Sequence, residues 1–298
     1  MERKKFKAEI KEKMLLGEFL RKELNISAGL LRRLKNIPDG ITRNGKLIRT
    51  VDEVFPNDII ELCEIDTNEI EPNPDLKVDV IYEDEEIIVF NKPSGMPVHP
   101  SHRHRYDTLG NYFSYIYPNK SFRPINRLDR DTSGACAVAK SQRSAGYYQG
   151  KIQKTYYAFV SGKIDGKGTI SLPIKRMNDT IITRFCCYDG QKAVTHYKSI
   201  CCNEKASFLE IDLETGRTHQ IRVHFSHIGH PLLGDDLYGG NHNIIERQAL
   251  HCGKLHFKNI IDNKDTYIKA PFQKELVDLE RKLFKSIDET DNIISAFM

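Results

Sequence analysis

The stretch "RPINRLDRDTSGACAVA", residues 123–139, sets three arginines and two aspartates within its first nine positions and then turns small and apolar. Asp129 and Asp131 are the carboxylates there that could do chemistry. An aspartate that works as a nucleophile or base must be ionised, stripped of water on approach and held in one rotamer, which calls for a fixed cation beside it. Arginine suits that task, because its guanidinium stays charged and its donors lie in a rigid plane. Arg127, Arg130, Arg217 and Arg222 are the candidates, and Arg222 has apolar neighbours, Ile221 and Val223, to anchor it. The residues alone leave a plainer alternative open, a surface salt-bridge cluster closed by a "TSG" turn.

Other chemistries lose ground. The chain has no GxxxxGKS or GxxxxGKT loop, no GxGxxG after a strand and no GxSxG elbow, which argues against nucleotide hydrolysis, dinucleotide redox chemistry and serine hydrolysis. His219, His224, His227 and His230, with Asp235 and Asp236 nearby, invite a metal site. Only His224 and His227 share a helical face, and no HExxH arrangement joins them, so no metal is expected.

The elements that must position these residues are short. Strand-like runs fall at 87–90, 135–139, 155–160, 193–200 and 208–213, with helices expected near 107–117, 141–152, 218–228 and 272–287; in the last, Leu276, Leu279, Leu283 and Ile287 form the stripe. This predicts an α+β fold, a mixed and mainly antiparallel sheet with flanking helices. Ahead of it, Leu15, Leu16, Phe19, Leu20 and Leu24 predict one helix face, and Ser27 caps a second helix with Leu30, Leu31 and Leu34 on its stripe. Turns at Asp39-Gly40, Asn44-Gly45 and Pro56-Asn57-Asp58 then separate small strands. The expected organisation is a small α/β domain over 1–65, a linker over 66–77 and a main domain over 78–298.

Charge is unevenly placed. Residues 1–64 carry 14 Lys/Arg against 11 Asp/Glu, and residues 65–86 carry nine acids and one lysine, which leaves the rest of the chain basic. Two basic bodies flanking an acidic segment suit a polyanionic partner. The seven cysteines lack any CxxC spacing and read as reduced thiols, and the charged start has no signal-like apolar run. A cytoplasmic protein with no membrane partner is expected, a monomer by default.

Several motifs in order carry a resemblance. "DEEIIVFNKPSGMPVHPS", "INRLDRDTSGACAVAKS", "KTYYAFVSG" and "TGRTHQIRVHFSHIGHPLLGDDLYGG" resemble the RluA-type family of pseudouridine synthases over roughly residues 78–275. Residues 13–64, with "GITRNGK" and "VFPNDIIEL", resemble the S-four RNA-binding domain, a common attachment in that family. The resemblance implies an RNA uridine-to-pseudouridine isomerase that needs no cofactor and flips its target base. It implies that Asp129 is the catalytic aspartate and Asp131 its non-catalytic neighbour. Arg222 would be the arginine paired with Asp129, Tyr156 the ring against the target uracil, and Arg127 the residue that fills the vacated stack. Tyr157 would face the other side of its strand. Asp129 would attack the sugar or base, or remove a ribose proton. Arg32, Arg33, Lys35, Arg43 and Lys46 would contact RNA phosphates, with Arg123 and Arg130 as further phosphate contacts. Large-subunit ribosomal RNA is the expected partner, with transfer RNA as another possible substrate. One departure stands out, Asn126 where most members have histidine before "RLD"; it is the best support for the alternative of an inactive RNA-binding or ribosome-associated protein of the same fold, although its place beside the motif suggests a structural or RNA-contact role.

Overall fold

The computed structural model describes residues 2–178, 182–284 and 294. The N-terminal part forms a four-stranded sheet in which Glu2–Glu9 pairs with Ile59–Asp66, followed by Ile41–Arg43 and Lys46–Leu47. Two helices, α1 (Leu16–Lys22) and α2 (Ala28–Lys35), lie against it and bury Leu16, Phe19, Leu20, Leu30, Leu31 and Leu34 with Ile41, Ile60 and Leu62. Ser27 caps α2, its hydroxyl accepting from the Leu30 N–H at 3.2 Å. Leu15 does not join the apolar stripe. It has extended backbone ahead of α1, pairs with Glu53 and stands 48% exposed, because a residue before the first helical turn takes the direction of the incoming strand.

The segment after this unit is fastened to the rest of the chain. Asp66 receives two guanidinium hydrogen bonds from Arg123, at 2.7 and 2.8 Å, so the group expected to contact phosphate is engaged in clasping the chain. Asn68 and Asn73 turn the backbone on their own side chains, and Asn111 donates to the Glu71 carbonyl at 2.7 Å.

The main body is a ten-stranded sheet. Its path runs Lys167–Ser171, Val194–Cys202, Ala206–Leu213, Gln153–Ser161, Leu250–Lys258, Ser133–Ala139, Ile87–Lys92 and Asp79–Glu83. Asp265–Lys269 and Arg123–Pro124 pair off this path. Every pairing is antiparallel except Ser133–Ala139 against Leu250–Lys258, so the sheet is mixed and mainly antiparallel as the sequence predicts. Helices α3 (Leu109–Ile116), α4 (Gln142–Tyr148), α5 (Gln220–His227) and α6 (Lys274–Phe284) flank it. Helix α4 is shorter than expected, since Gly150 turns the chain with φ +76° before the next strand. On α6, Leu276 and Leu279 are buried, whereas Ile287 lies outside the described residues.

Alternation along Gln153–Ser161 divides two cores. Tyr156, Ala158 and Val160 join the cluster of Phe90, Leu209 and Phe225, while Tyr157 and Phe159 pack with Phe208 and Phe272 on the other face. The one parallel pairing sits at the centre and places Gly134 against Cys252. Gly134 has φ +110°, and a Cβ there would stand 2.3 Å from the Cys252 carbonyl oxygen, so only glycine lets the two strands meet.

Candidate active site

Four fastenings fix the chain that bears Asp129. Asn126 is buried, and its amide donates to the Ala135 carbonyl at 3.0 Å and accepts from the Ala137 N–H at 2.8 Å. It thus extends the pairing of the incoming segment onto Ser133–Ala139 by side chain. Lys92, fully buried, donates to the carbonyls of Pro93, Met96 and Arg130 at 2.7–2.9 Å, while burial lowers its pKa to about 7. Arg247 donates to the Asp131 carbonyl at 3.1 Å, and the Thr132 N–H closes a turn on the Asp129 carbonyl at 3.1 Å. None of these side chains consumes the Asp129 carboxylate.

The second acid is occupied. Asp131 pairs with Arg130 through two hydrogen bonds at 2.9 and 3.0 Å, so Arg130 is neither the cation for Asp129 nor an unpaired phosphate contact. Asp129 instead meets Arg222, whose Nη1 stands 3.3 Å from its Oδ2.

Helix α5 brings Arg222 there. Gln220, in its first turn, accepts from the Thr215 hydroxyl at 2.8 Å and the Arg217 N–H at 3.0 Å, and donates to the Val194 carbonyl and Thr195 hydroxyl, both at 3.0 Å. In the same first turn, Arg222 binds Asp235 by two bonds of 2.7 Å, an anchor that sequence reasoning assigned only to a rejected metal site. Burial works against the Arg222 charge, but the bonds to Asp235 outweigh it and hold its pKa above the ordinary arginine value. His219, in left-handed conformation at φ +58°, shares a 2.9 Å hydrogen bond with the Tyr238 hydroxyl and stands 3.8 Å from Asp129. Burial is the main cause that lowers its pKa.

The predicted residues converge unequally. Asp129, Arg222, Tyr156, Arg127 and Arg217 line one cleft with His219. Burial raises the Tyr156 pKa, so the phenol keeps its proton at neutral pH. Arg127 is exposed at the mouth and also lines a neighbouring groove with Lys175, Arg176, Arg184 and Arg217, a basic surface that the sequence reading did not single out. Arg32, Arg33, Lys35, Arg43 and Lys46 are not in the cleft. Arg32, Lys35 and Lys46 are exposed, but Arg33 donates to Gln142 of α4 at 2.6 Å and Arg43 donates to the Glu53 carbonyl at 3.1 Å. The histidines of the discarded metal reading disperse: His224 is held between Thr195 and the Leu172 carbonyl, His230 bonds the Ser161 carbonyl, and His227 is exposed. Among the described residues no three His, Cys, Asp or Glu side chains gather as metal ligands.

Such an arrangement presents a carboxylate, steadied by one guanidinium N–H, beside a neutral aromatic ring at the base of a cleft with a basic rim. It can attack or deprotonate a group on a flat, uncharged ring system attached to a polyanion. Comparison with known proteins agrees. The family profile described as RNA pseudouridylate synthase matches residues 86–227. The RNA pseudouridine synthase YhcT of Bacillus subtilis, itself described as uncharacterized, is 37% identical over 253 residues, covering 81% of this chain and 82% of the relative. The ribosomal large subunit pseudouridine synthase D of Zymomonas mobilis is 35% identical, covering 82% of this chain and 86% of the relative. Among solved structures, human RNA pseudouridylate synthase domain containing 1 superposes with a TM-score of 0.56 at 26% identity, covering 76% of this chain and 97% of that one.

Proposed function

The chain belongs to the RluA-type RNA pseudouridine synthases, isomerases that convert uridine in RNA to pseudouridine, and from this we propose that Asp129 carries the reaction. The observation that supports this most is the line Asp235–Arg222–Asp129 ending in the cleft that Tyr156 floors. In the isomerisation the bond from ribose C1′ to uracil N1 breaks, C1′ joins C5, and the C5 proton leaves while N1 gains one. Atoms balance without an external donor, so the reaction needs no cofactor. Asp129 serves as nucleophile or base, and Arg222 holds it in one rotamer. The target base is flipped out of its stack at a cost of a few kcal/mol. Stacking on Tyr156 returns roughly 1–3 kcal/mol, and Arg127 at the mouth fills the gap left behind.

The substrate we propose is large-subunit ribosomal RNA. Relatives named for that subunit support it, and so does the N-terminal unit, which we read as an S-four-like RNA handle presenting Arg32, Lys35 and Lys46. On this reading the protein acts as a monomer in the cytoplasm. The inactive alternative rested on Asn126, whose amide is spent on the backbone of Ser133–Ala139.

The test is tritium release from ribosomal RNA labelled at uracil C5. Wild type releases tritium, and Asp129→Asn and Asp129→Ala lose at least about 1000-fold in rate while still binding RNA. Turnover by either variant within about tenfold of wild type overturns the assignment.

A further inference from the structure

Residues 101–107, "SHRHRYD", form a loop between the buried Val98 and Thr108, the residue that caps α3. Its two ends are drawn together, because the Leu109 and Gly110 N–H groups donate to the carbonyls of Pro97 and Val98 at 2.9 and 3.1 Å. The tip is a tight turn in which Ser101 and His104 exchange backbone hydrogen bonds of 2.8 and 3.1 Å around His102 and Arg103. The returning limb is braced by amides: Asn111 donates to the Arg105 carbonyl at 2.9 Å and Asn73 to the Tyr106 carbonyl at 2.8 Å. The backbone is thus fixed, while His102, Arg103, Arg105 and Tyr106 face solvent.

This loop stands beside the turn that bears Asp129. Lys92 Nζ donates to both the Met96 and Arg130 carbonyls, at 2.8 and 2.9 Å, so the chain sets out for the loop from next to that turn. The His99 ring packs edge-on against Phe122, 5.0 Å between centroids, and desolvation there, followed by the nearby charge of Arg127, lowers its pKa. Within the loop the one acid, Asp107, is held by His104 at 2.6 Å. The guanidinium groups of Arg103 and Arg105 have no carboxylate or carbonyl partner among the described residues, unlike those of Arg123 and Arg130, which Asp66 and Asp131 engage.

We propose that the loop over 101–107 is an RNA-contact surface for the nucleotides next to the flipped uridine: Arg103 and Arg105 bind their phosphates, and the Tyr106 ring stacks on an unpaired base. The proposal rests on the reading of the cleft as a pseudouridine synthase site. Charge complementarity selects the occupant, since two unpartnered guanidinium groups beside the exposed Arg127 repel one another until a polyanion lies among them. An open aromatic ring beside fixed cations is the combination that holds single-stranded nucleic acid, and Tyr106 is 52% exposed. None of these three residues lines the cleft or the groove of Lys175, Arg176 and Arg184, so the loop is a separate hold on the strand. Phosphate contacts set register, whereas the ring adds a requirement of its own, an unpaired neighbour to the target uridine.

The experiment measures Kd against salt, and single-turnover tritium release at saturating RNA, with large-subunit ribosomal RNA labelled at uracil C5. The double variant Arg103→Ala with Arg105→Ala is expected to bind about tenfold or more weakly, with the slope of log K against log salt reduced by about 1.5. Tyr106→Ala should weaken binding by about 5- to 50-fold and Tyr106→Phe by less than about twofold, since the ring and not the hydroxyl stacks. All three keep a saturated rate within about twofold of wild type. The control is Lys258→Ala with Lys264→Ala, at the far end of the strand whose first residue, Leu250, lines the cleft; it should bind as wild type does. Loop variants with wild-type Kd and salt slope overturn the proposal, and so does an equal loss in the control pair, which would make charge anywhere on the surface sufficient. A Tyr106→Phe variant as weak as Tyr106→Ala overturns the stacking role. Wild-type turnover separates the two claims: its absence sinks the reading of the cleft, whereas its presence beside unaffected loop variants sinks only the loop.

Discussion

Asn126 stands three residues before Asp129, yet its contacts make it part of the sheet. Removing its amide strands the Ala135 carbonyl and Ala137 N–H in a buried strand. Asn126→Ala is expected to lower unfolding free energy by about 1–3 kcal/mol in urea titrations, with tritium release per folded molecule within about threefold of wild type. His251 is a second buried polar residue with a stability role. It lies between the Ser133 hydroxyl and the Ala270 carbonyl, and burial pushes its pKa from 6.5 down to about 4. A carbonyl can only accept, so Nε2 carries the proton and Nδ1 accepts from Ser133. As pH falls from 6.5 towards about 4, the unfolded chain takes up a proton that the folded ring refuses, so stability is lost across that window. The expected contribution is roughly 2–4 kcal/mol, and His251→Asn should flatten that part of the stability-against-pH curve.

Helix α5 illustrates how an element rather than a residue delivers the cation. It has only eight residues, too few to be stable alone, and its first turn is secured through Gln220. All four hydrogen-bonding positions of that buried amide are used, tying α5 to Val194–Cys202 and to Thr215. Gln220→Ala should therefore cost about 2–4 kcal/mol in stability and lower the turnover rate more than RNA affinity, since Arg222 loses its fixed base. Equal falls in rate and affinity would show that α5 contributes to RNA binding directly. The strands behave alike. The turn that bears Asp129 and Tyr156 approach each other because Leu250–Lys258 lies between their strands, pairing Ser133 with His251 on one side and Tyr156 with Cys252 on the other.

Across the whole molecule, the N-terminal unit is docked against the main body. Besides the Asp66–Arg123 clasp, Arg143 of α4 lies 4.0 Å over the Phe6 ring, and the Gln142 N–H donates to Glu64 at 3.0 Å. Basic residues on that unit therefore keep a set relation to the cleft, as suits a large folded RNA. The triple replacement of Arg32, Lys35 and Lys46 by Ala should weaken RNA binding and reduce the slope of log K against log salt by about two. Turnover at saturating RNA should stay unchanged. Binding that is equally tight at low and high salt would remove the N-terminal unit from the RNA interface. Replacing Arg33 or Arg43 should weaken binding less, since their guanidinium groups already hold Gln142 and the Glu53 carbonyl.

Local order was legible in the sequence. Helix periodicity, the Ser27 cap, the alternation that sends Tyr156 and Tyr157 to opposite faces, and the long motifs around Asp129 and Arg222 all depend on near neighbours along the chain. Leu250–Lys258 was harder to read, because its start, "LHCG", is buried on both faces by tertiary packing and only "KLHFK" keeps the two-residue alternation. Partner choice among charges was legible only where the resemblance paired Arg222 with Asp129, and not from the residues themselves. The sequence offers several arginines for Asp129 and several acids for each arginine, all with the same local chemistry. Burial and distance alone assign Arg130 to Asp131, Arg123 to Asp66 and Arg222 to both Asp235 and Asp129, since the strength of an ion pair depends on where folding brings the two groups and how much water it leaves them.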